Sequence, residues 1–337
     1  MTASPGYRFP FAPVPVGWYR VASSADLPVK GVLPLHLFQR DLVLFRTESG
    51  RPRLMDAHCP HLGAHLGHGG RVCGEELACP FHGWRFSGAD GACAHAGQDR
   101  PPAVGVRAWP TTEVNSQIMA WYHPNAEAPT WGFPELPEGK NPSWTGFRAA
   151  RSWKVRTHVQ EICENGMDNA HFTWLHTQQT MAMRTEEVTI EGHILTHHTW
   201  QRFNLFGVAK LMVEQVQGPL DVQFQGLGIV VNRATVHANI TLEYVFVFYA
   251  TPIDEEHIEL SSFLSVKRTG GRLVTRLLWM KAAHEGGVTI DQDVPIWENK
   301  AYRPRPLLLQ HDGPIPQFRR WTQQFYPNTD VGSHAAK

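Results

Sequence analysis

Apolar and polar positions change in short blocks over the first third of the chain and in longer alternations through its middle. Leu42–Phe45 and Ile118–Trp121 are apolar runs bounded by charges, turns or prolines, and they predict short strands. Between them, residues 56–100 are dense in Gly, His and Cys and read as loops. Residues 123–144 carry Pro124, Pro129, Pro134, Pro137 and Pro142. That density suits an extended linker, so the domain boundary is expected there. Beyond it, Trp153–Val159 predicts a strand, about Ile162–Leu175 a helix, and residues 187–280 two or more hairpins. Ile240, Leu242, Tyr244, Phe246 and Phe248 alternate with Thr241, Glu243, Val245 and Val247, the period of a strand. Helices are expected near 291–300 and 314–326. In the latter, Ile315, Phe318, Trp321 and Phe325 fall on one stripe.

Composition narrows the class. The chain has 337 residues, 42% of them hydrophobic, enough for two ordinary domains with buried cores. Lys plus Arg equals Asp plus Glu at 31 each, which argues against a nucleic-acid binder working through a basic face. From Phe203 to Tyr249 only Lys210, Glu214, Asp221, Arg233 and Glu243 are charged, so the sheet expected there has a large apolar face. The opening MTASPGYRFPFAPVPVGWYR lacks a basic start and an apolar run and does not read as a signal peptide. The best candidate for a span, Tyr244–Ala250, is far too short to cross a bilayer, and a cytoplasmic location without a transmembrane segment is expected. Five cysteines do not suggest a disulfide scaffold, whereas 19 histidines direct attention to metal chemistry. No internal repeat, P-loop or convincing dinucleotide-binding glycine pattern is present.

The first candidate site is carried by CPHLGAH, which supplies Cys59 and His61, and CPFHGW, which supplies Cys79 and His82. The pattern is C-x-H, seventeen residues, then C-x-x-H. Two thiolates and two imidazoles on two loops can hold a tetrahedral zinc or a Rieske [2Fe–2S] cluster. A zinc finger places two cysteines before two histidines. Here the order alternates, as a Rieske centre needs when each loop gives one Cys to one iron and one His to the other. His58, His65, His68 and His95 crowd the same region and suit loop hydrogen bonding better than ligation.

CPHLGAHLGHGG followed by LACPFHGWRF resembles the Rieske motif of the non-haem iron oxygenases. Respiratory Rieske proteins are similar but add two cysteines that form a disulfide between the loops. This chain has Ala64 and Phe81 at the equivalent places, and Trp84 where the respiratory type has a hydroxyl residue. Fewer hydrogen bonds to the cluster imply a potential toward the low end of the Rieske range, roughly −150 mV. Cys73, Cys93 and Cys163 read as free thiols.

The second candidate site lies in ENGMDNAHFTWLH, with Asp168, His171 and His176. On an ideal helix His171 and His176 would be separated by about 140°, so the helix must end or distort if both are to bind one metal. Taken alone, the segment fits core or surface histidines better than a metal site. About 90 residues after the cluster motif, however, D-x-x-H-x-x-x-x-H resembles the mononuclear iron site of the same oxygenases, a facial triad of two histidines and one carboxylate. The resemblance implies His171 and His176 as iron ligands. It implies Asp168 as a bridge between His171 and the cluster ligand His82 of a neighbouring subunit. The third ligand is expected in TIDQDVPIWENK, where Asp293 is chosen over Asp291.

The resemblance runs from Gly17 to Tyr326. It implies an α+β protein: an all-β Rieske domain with its Pro-rich linker over 1–140, then a helix-grip catalytic domain over 141–337, a curved antiparallel sheet with helices. RAWPTTEVNSQIMAWYHP, DQDVPIWENKAY and DGPIPQFRRWTQQFY are most similar to the branch of steroid and sterol oxygenases that includes 3-ketosteroid 9α-hydroxylase and cholesterol 7-desaturase. The implied activity is O2-dependent monooxygenation (hydroxylation, desaturation or oxidative demethylation) of a hydrophobic polycyclic substrate. The implied assembly is a homotrimer. Electrons would come from NAD(P)H through a separate ferredoxin or flavin reductase. Three other readings stand beside it: an aromatic or natural-product substrate, an electron-transfer protein, and a zinc-stabilised lipid-binding protein.

Overall fold

The computed structural model describes residues 7–97, 101–177, 180–203, 216–237 and 241–327. They form two compact units, one of residues 17–134 with 251–255, the other of 7–16, 135–250 and 256–327.

The first unit is all β. Its strands are β1 (Gly17–Ser23), β2 (Val32–Leu37), β3 (Arg40–Arg46), β4 (Pro52–Asp56), β5 (Arg71–Cys73), β6 (Glu76–Ala78), β7 (Arg85–Ser87), β8 (Cys93–His95), β9 (Ala108–Trp109), β10 (Thr111–Val114) and β11 (Gln117–Tyr122). They make three sheets, ordered β1-β11-β10, β2-β3-β4-β9 and β5-β6-β7-β8. The last sheet lies wholly within residues 56–100, which the sequence presents as loops. Strands of three residues are too short to show a period of two. Val72, Leu77 and Phe86 from that small sheet are buried together with Val43, Phe45, Met55 and Leu66, which fixes the two cysteine loops to a solid base. Within this unit the Pro-rich stretch is pinned, because Trp18 and Trp121 donate their indole N–H groups to the carbonyls of Trp131 and Glu127.

The second unit contains α1 (Pro137–Lys140), β12 (Arg148–Val155), α2 (Val159–Asn165), α3 (Asn169–Trp174), β13 (Thr180–Glu191), β14 (Ile194–Phe203), β15 (Val216–Gln225), β16 (Ile229–His237), β17 (Thr241–Pro252), β18 (Ile258–Val266), α4 (Gly271–Asn299) and α5 (Ile315–Thr322). One seven-stranded antiparallel sheet, ordered β12-β18-β17-β16-β15-β14-β13, holds α4 against it in a helix-grip arrangement. Lys210, Glu214 and Ile240 lie outside the described residues.

Three expectations are corrected here. The strand expected at Trp153–Val159 is Arg148–Val155, because Val159 already opens α2. The single helix expected over Ile162–Leu175 is two helices. α2 ends at Gly166, where an added Cβ would come within 3.1 Å of both the Phe224 ring and Val222. A new helix then starts at Asp168, whose Oδ1 accepts from the backbone N–H groups of Ala170 and His171. Finally, the hairpins end at Val266. Residues 271–280 belong to α4, which continues through the helix expected at 291–300.

The stripe in the tail is as expected. Ile315, Phe318, Trp321 and Phe325 are buried, and the Phe318 ring meets Phe224 at 5.5 Å. Arg319 joins α5 to α2 through two hydrogen bonds to the Glu164 carboxylate, at 2.6 and 2.7 Å.

His158 caps α2 and makes the fold pH-sensitive. Its Nδ1 accepts from the Gln160 N–H, so Nε2 carries the proton and donates to the Ala12 carbonyl. Full burial pushes its pKa down to about 3. The folded protein therefore keeps this ring neutral while the unfolded chain protonates it below about 6.5. Stability is intact above that value and falls as pH drops from it toward 3, by about 1.4 kcal/mol per pH unit from this residue. Urea unfolding of the parent should lose stability between pH 6.5 and 4.5 more steeply than that of His158→Asn, which keeps the cap. Equal slopes would contradict the assignment.

Candidate metal centres

The two cysteine loops share one backbone design. In the first, the Cys59 N–H donates to the Ala64 carbonyl and the Gly63 N–H to the Cys59 carbonyl. In the second, the Cys79 N–H donates to Trp84 and the Gly83 N–H to Cys79. Gly63 and Gly83 both adopt positive φ, 75° and 72°, which is why each loop needs a glycine four residues after its cysteine. The result places Cys59 and Cys79 in the buried interior and His61 and His82 at the surface. The imidazole rings lie 4.7 Å apart, and the Trp84 indole stacks face to face on His61 at 4.5 Å. Burial raises the Cys59 thiol pKa, and the neighbouring Cys79 sulfur adds to the rise. Two sulfurs inside and two imidazoles outside are the donor set and polarity that a Rieske cluster requires. His65 accepts from the Gly67 N–H, the loop role expected of it.

The second set comes from α3, the turn after it, and α4. Donor atoms of His171, His176 and Asp293 all lie within 4.8 Å of one another. The break before Asp168 and the early end of α3 bring His171 and His176 together, with rings 5.1 Å apart. His176 is 0% exposed. Its Nδ1 donates to Gln292 Oε1 at 2.8 Å, which leaves Nε2 as the unprotonated atom. That Nε2 lies 3.2 Å from Asp293 Oδ1 yet makes no hydrogen bond of good geometry. Asp293 is 3% exposed. A buried carboxylate facing an orphaned imidazole nitrogen is costly alone, and a divalent cation would balance both. On this ground the residues fit a metal. At His171, burial lowers the ring pKa. At His176 burial acts the same way, but the Asp293 carboxylate outweighs it and the net shift is upward.

Asp291 points elsewhere. Its carboxylate takes Arg151 Nη1 at 2.6 Å and the Trp153 indole N–H at 2.9 Å. Asp168 differs in detail from expectation. His171 Nδ1 donates to the Asp168 backbone carbonyl at 2.6 Å, while the carboxylate Oδ2 lies 3.9 Å away on a side chain that is 32% exposed. Gln292 and Asn165 were not singled out in the sequence. Gln292 stands beside Asp293 in the same turn of α4, and Asn165 Nδ2 lies 3.1 Å from His171 Nε2.

A cavity of about 450 Å³ opens beside His176 and Asp293. Its walls are apolar residues of β15–β18 and α4, including Val222, Phe224, Phe246 and Phe248. β17 supplies one wall with Leu242, Tyr244, Phe246 and Phe248, while Val245, Val247 and Tyr249 are also buried, so the strand is covered on both faces. Besides His176 Nε2, Asn232 Oδ1 and the Trp297 indole N–H are buried in the lining without a hydrogen-bond partner.

Residues 17–110 match the family described as the Rieske [2Fe-2S] domain, and residues 120–326 match the 3-ketosteroid 9alpha-hydroxylase C-terminal domain. The chain belongs to the Rieske oxygenase family. It is 32% identical to a cholesterol 7-desaturase of Ciona intestinalis, over 93% of this chain and 68% of that one. It is 30% identical to a probable 3-ketosteroid-9-alpha-monooxygenase oxygenase component of Rhodococcus rhodochrous, over 93% of this chain and 80% of that one. Dicamba monooxygenase bound to dicamba has the same fold, with a TM-score of 0.72 at 20% identity, covering 92% of this chain and 96% of that one. A Rieske oxygenase is an enzyme, so the readings as a lone electron carrier or a zinc-stabilised binding protein fall away. No described helix of this oxygenase is long and apolar enough to cross a membrane.

Proposed function

We propose that this Rieske oxygenase is the oxygenase component of a system that oxidises a sterol or steroid, held in the cavity between the sheet and α4. The observation that carries the reading is an apolar cavity, within the 300–1,000 Å³ range of small-molecule sites, with His176 and Asp293 in its wall. The similarity to steroid and sterol oxidases over 93% of the chain supports it. Asn232 Oδ1 can accept from a hydroxyl and the Trp297 N–H can donate to a carbonyl, so an apolar guest carrying such polar groups fits the lining.

In this reading Cys59, His61, Cys79 and His82 hold the cluster, and His171, His176 and Asp293 hold one further iron. When bound, the iron supplies reductive activation of dioxygen and the cluster supplies electrons to it. The chain's own residues do the rest. Gln292 fixes the His176 ring by accepting from Nδ1, and the Asp168 carbonyl fixes His171 in the same way. The cavity wall excludes water. Electrons arrive from a separate ferredoxin or flavin reductase, which draws them from NAD(P)H. Within a head-to-tail homotrimer, Asp168 connects His171 to the neighbouring copy's His82. Asp293→Asn should lose most of the mononuclear iron, whereas Asp291→Asn should keep it. Iron content of the two variants checks this, and equal content would reverse the assignment.

The functional reading is tested by reducing the protein anaerobically and admitting oxygen in the presence of sterols, steroids and aromatic ethers, with products identified by mass. A sterol or steroid gaining one oxygen or losing two hydrogens is expected. Turnover of aromatic ethers alone would overturn the substrate class.

A further inference from the structure

The first three turns of α4 are apolar on both sides. One side packs on the sheet, where Trp279, Ala282 and Ala283 meet Phe246, Leu264 and Val266, and the Trp279 N–H donates to the Leu264 carbonyl. The other side carries Leu273, Leu277 and Met280 at spacings of four and three, so they form one stripe. These side chains are 70%, 57% and 51% exposed. A row of exposed large apolar side chains on a helix whose opposite side is already packed calls for an occupant.

The surrounding charge is predominantly positive. Lys267, Arg268, Arg272, Arg276 and Lys281 lie between residues 267 and 284, in a chain whose net charge is zero. Two of them are paired, Lys267 with Glu243 at 2.6 Å and Lys281 with Glu285 at 3.2 Å. At 100° per residue, Arg272 and Arg276 flank one side of the stripe and Lys281 the other. Arg272 and Arg276 make no ion pair among the described residues. The same turns reach the cavity, since Leu278, Lys281 and Ala282 line it and Lys281 is also exposed.

We propose that this face of α4 docks on the surface of an anionic lipid bilayer. Leu273, Leu277 and Met280 enter the boundary between headgroups and acyl chains, and Arg272 and Arg276 meet the lipid phosphates. The apolar substrate then passes from the bilayer to the cavity without crossing bulk water. That last step rests on the sterol-class reading; the docking rests on the stripe and the charges alone. A twofold contact between two such stripes is disfavoured, because it would set Arg272 and Arg276 against their own counterparts; a contact with another face of a neighbouring copy is an outcome of the test.

The test is flotation of the metal-loaded protein with vesicles of phosphatidylcholine, with and without ~30% phosphatidylserine. Binding to the anionic vesicles is expected, weakening as salt rises. A Leu273→Ser, Leu277→Ser, Met280→Ser triple variant should partition at least about tenfold less. Arg272→Glu with Arg276→Glu should lose the preference for phosphatidylserine. Both variants should keep the parent's turnover when substrate is presented in cyclodextrin, which also shows that they fold. No flotation of the parent, or undiminished flotation of the triple variant, overturns the proposal. So does conversion of the parent oligomer to smaller species by the triple variant with flotation unchanged, which makes the stripe a contact between copies. Flotation as expected without any sterol turnover leaves the docking standing and sinks the substrate class instead.

Discussion

His176→Ala is expected to abolish turnover while leaving the Rieske absorption and paramagnetic spectra intact. The ring is completely buried, and its unprotonated, unpartnered Nε2 faces Asp293 in the cluster that His171 completes. Loss of one of three ligands should remove the iron or leave it inactive, a reduction in rate of at least about 10³-fold on the scale set by removing an essential catalytic group. His82→Ala should do the reverse: the spectrum of the cluster disappears while the His171, His176 and Asp293 set is untouched. The two ligand sets belong to different compact units, so their effects separate. Optical spectra and iron content of both variants check this. If each variant lost both metals with its fold intact, the division of ligands would be wrong.

Asp168→Asn should carry the second large effect. Asparagine keeps an oxygen that can cap α3, and the backbone carbonyl that holds the His171 ring is unchanged, so structure and metal content should survive. What goes is the negative charge at Oδ2, the oxygen that the cap does not use, on a partly exposed side chain. If that oxygen receives a neighbouring copy's His82, oxidation of the pre-reduced cluster by substrate and oxygen should slow about 10- to 100-fold. Single-turnover kinetics measure it directly. An unchanged rate would remove Asp168 from the path. Sedimentation at the same protein concentration should show a trimer, without which the bridge between copies has no partner.

The parts of the fold that were legible in the sequence are those where chemistry or periodicity acts locally. The paired C-x-H and C-x-x-H loops depend on fixed spacing and on a left-handed glycine in each, and both features are written in consecutive residues. The α5 stripe is legible because Ile315, Phe318, Trp321 and Phe325 bury one face only. Other parts were hidden for physical reasons. β12 is mostly exposed, so RAARSWKV shows little alternation. The start of α4 is apolar on both sides, which erases the helical stripe and lets it pass for strand. Gly166 closes α2 where a Cβ would meet Phe224 and Val222, some sixty residues away, and the chain turns extended at Asp168; that long-range contact is announced by no local pattern. Asp293 and Asp291 are two residues apart and indistinguishable by pattern; only the fold shows that Arg151 and Trp153 hold the Asp291 carboxylate while Asp293 lies beside His176. The placement of residues 7–16 on His158, Tyr302 and Tyr326 through Phe11 also follows aromatic contacts with no periodic signal.

The central claim is that one chain holds a Rieske cluster and a separate mononuclear iron, each on its own ligand set. Quantitative analysis of iron, zinc and acid-labile sulfide in protein purified under mild conditions tests it most directly. Two cluster irons with two sulfides, and one further iron per chain removable by a chelator without loss of the Rieske spectrum, are the predicted result. Stoichiometric zinc with no acid-labile sulfide would contradict it.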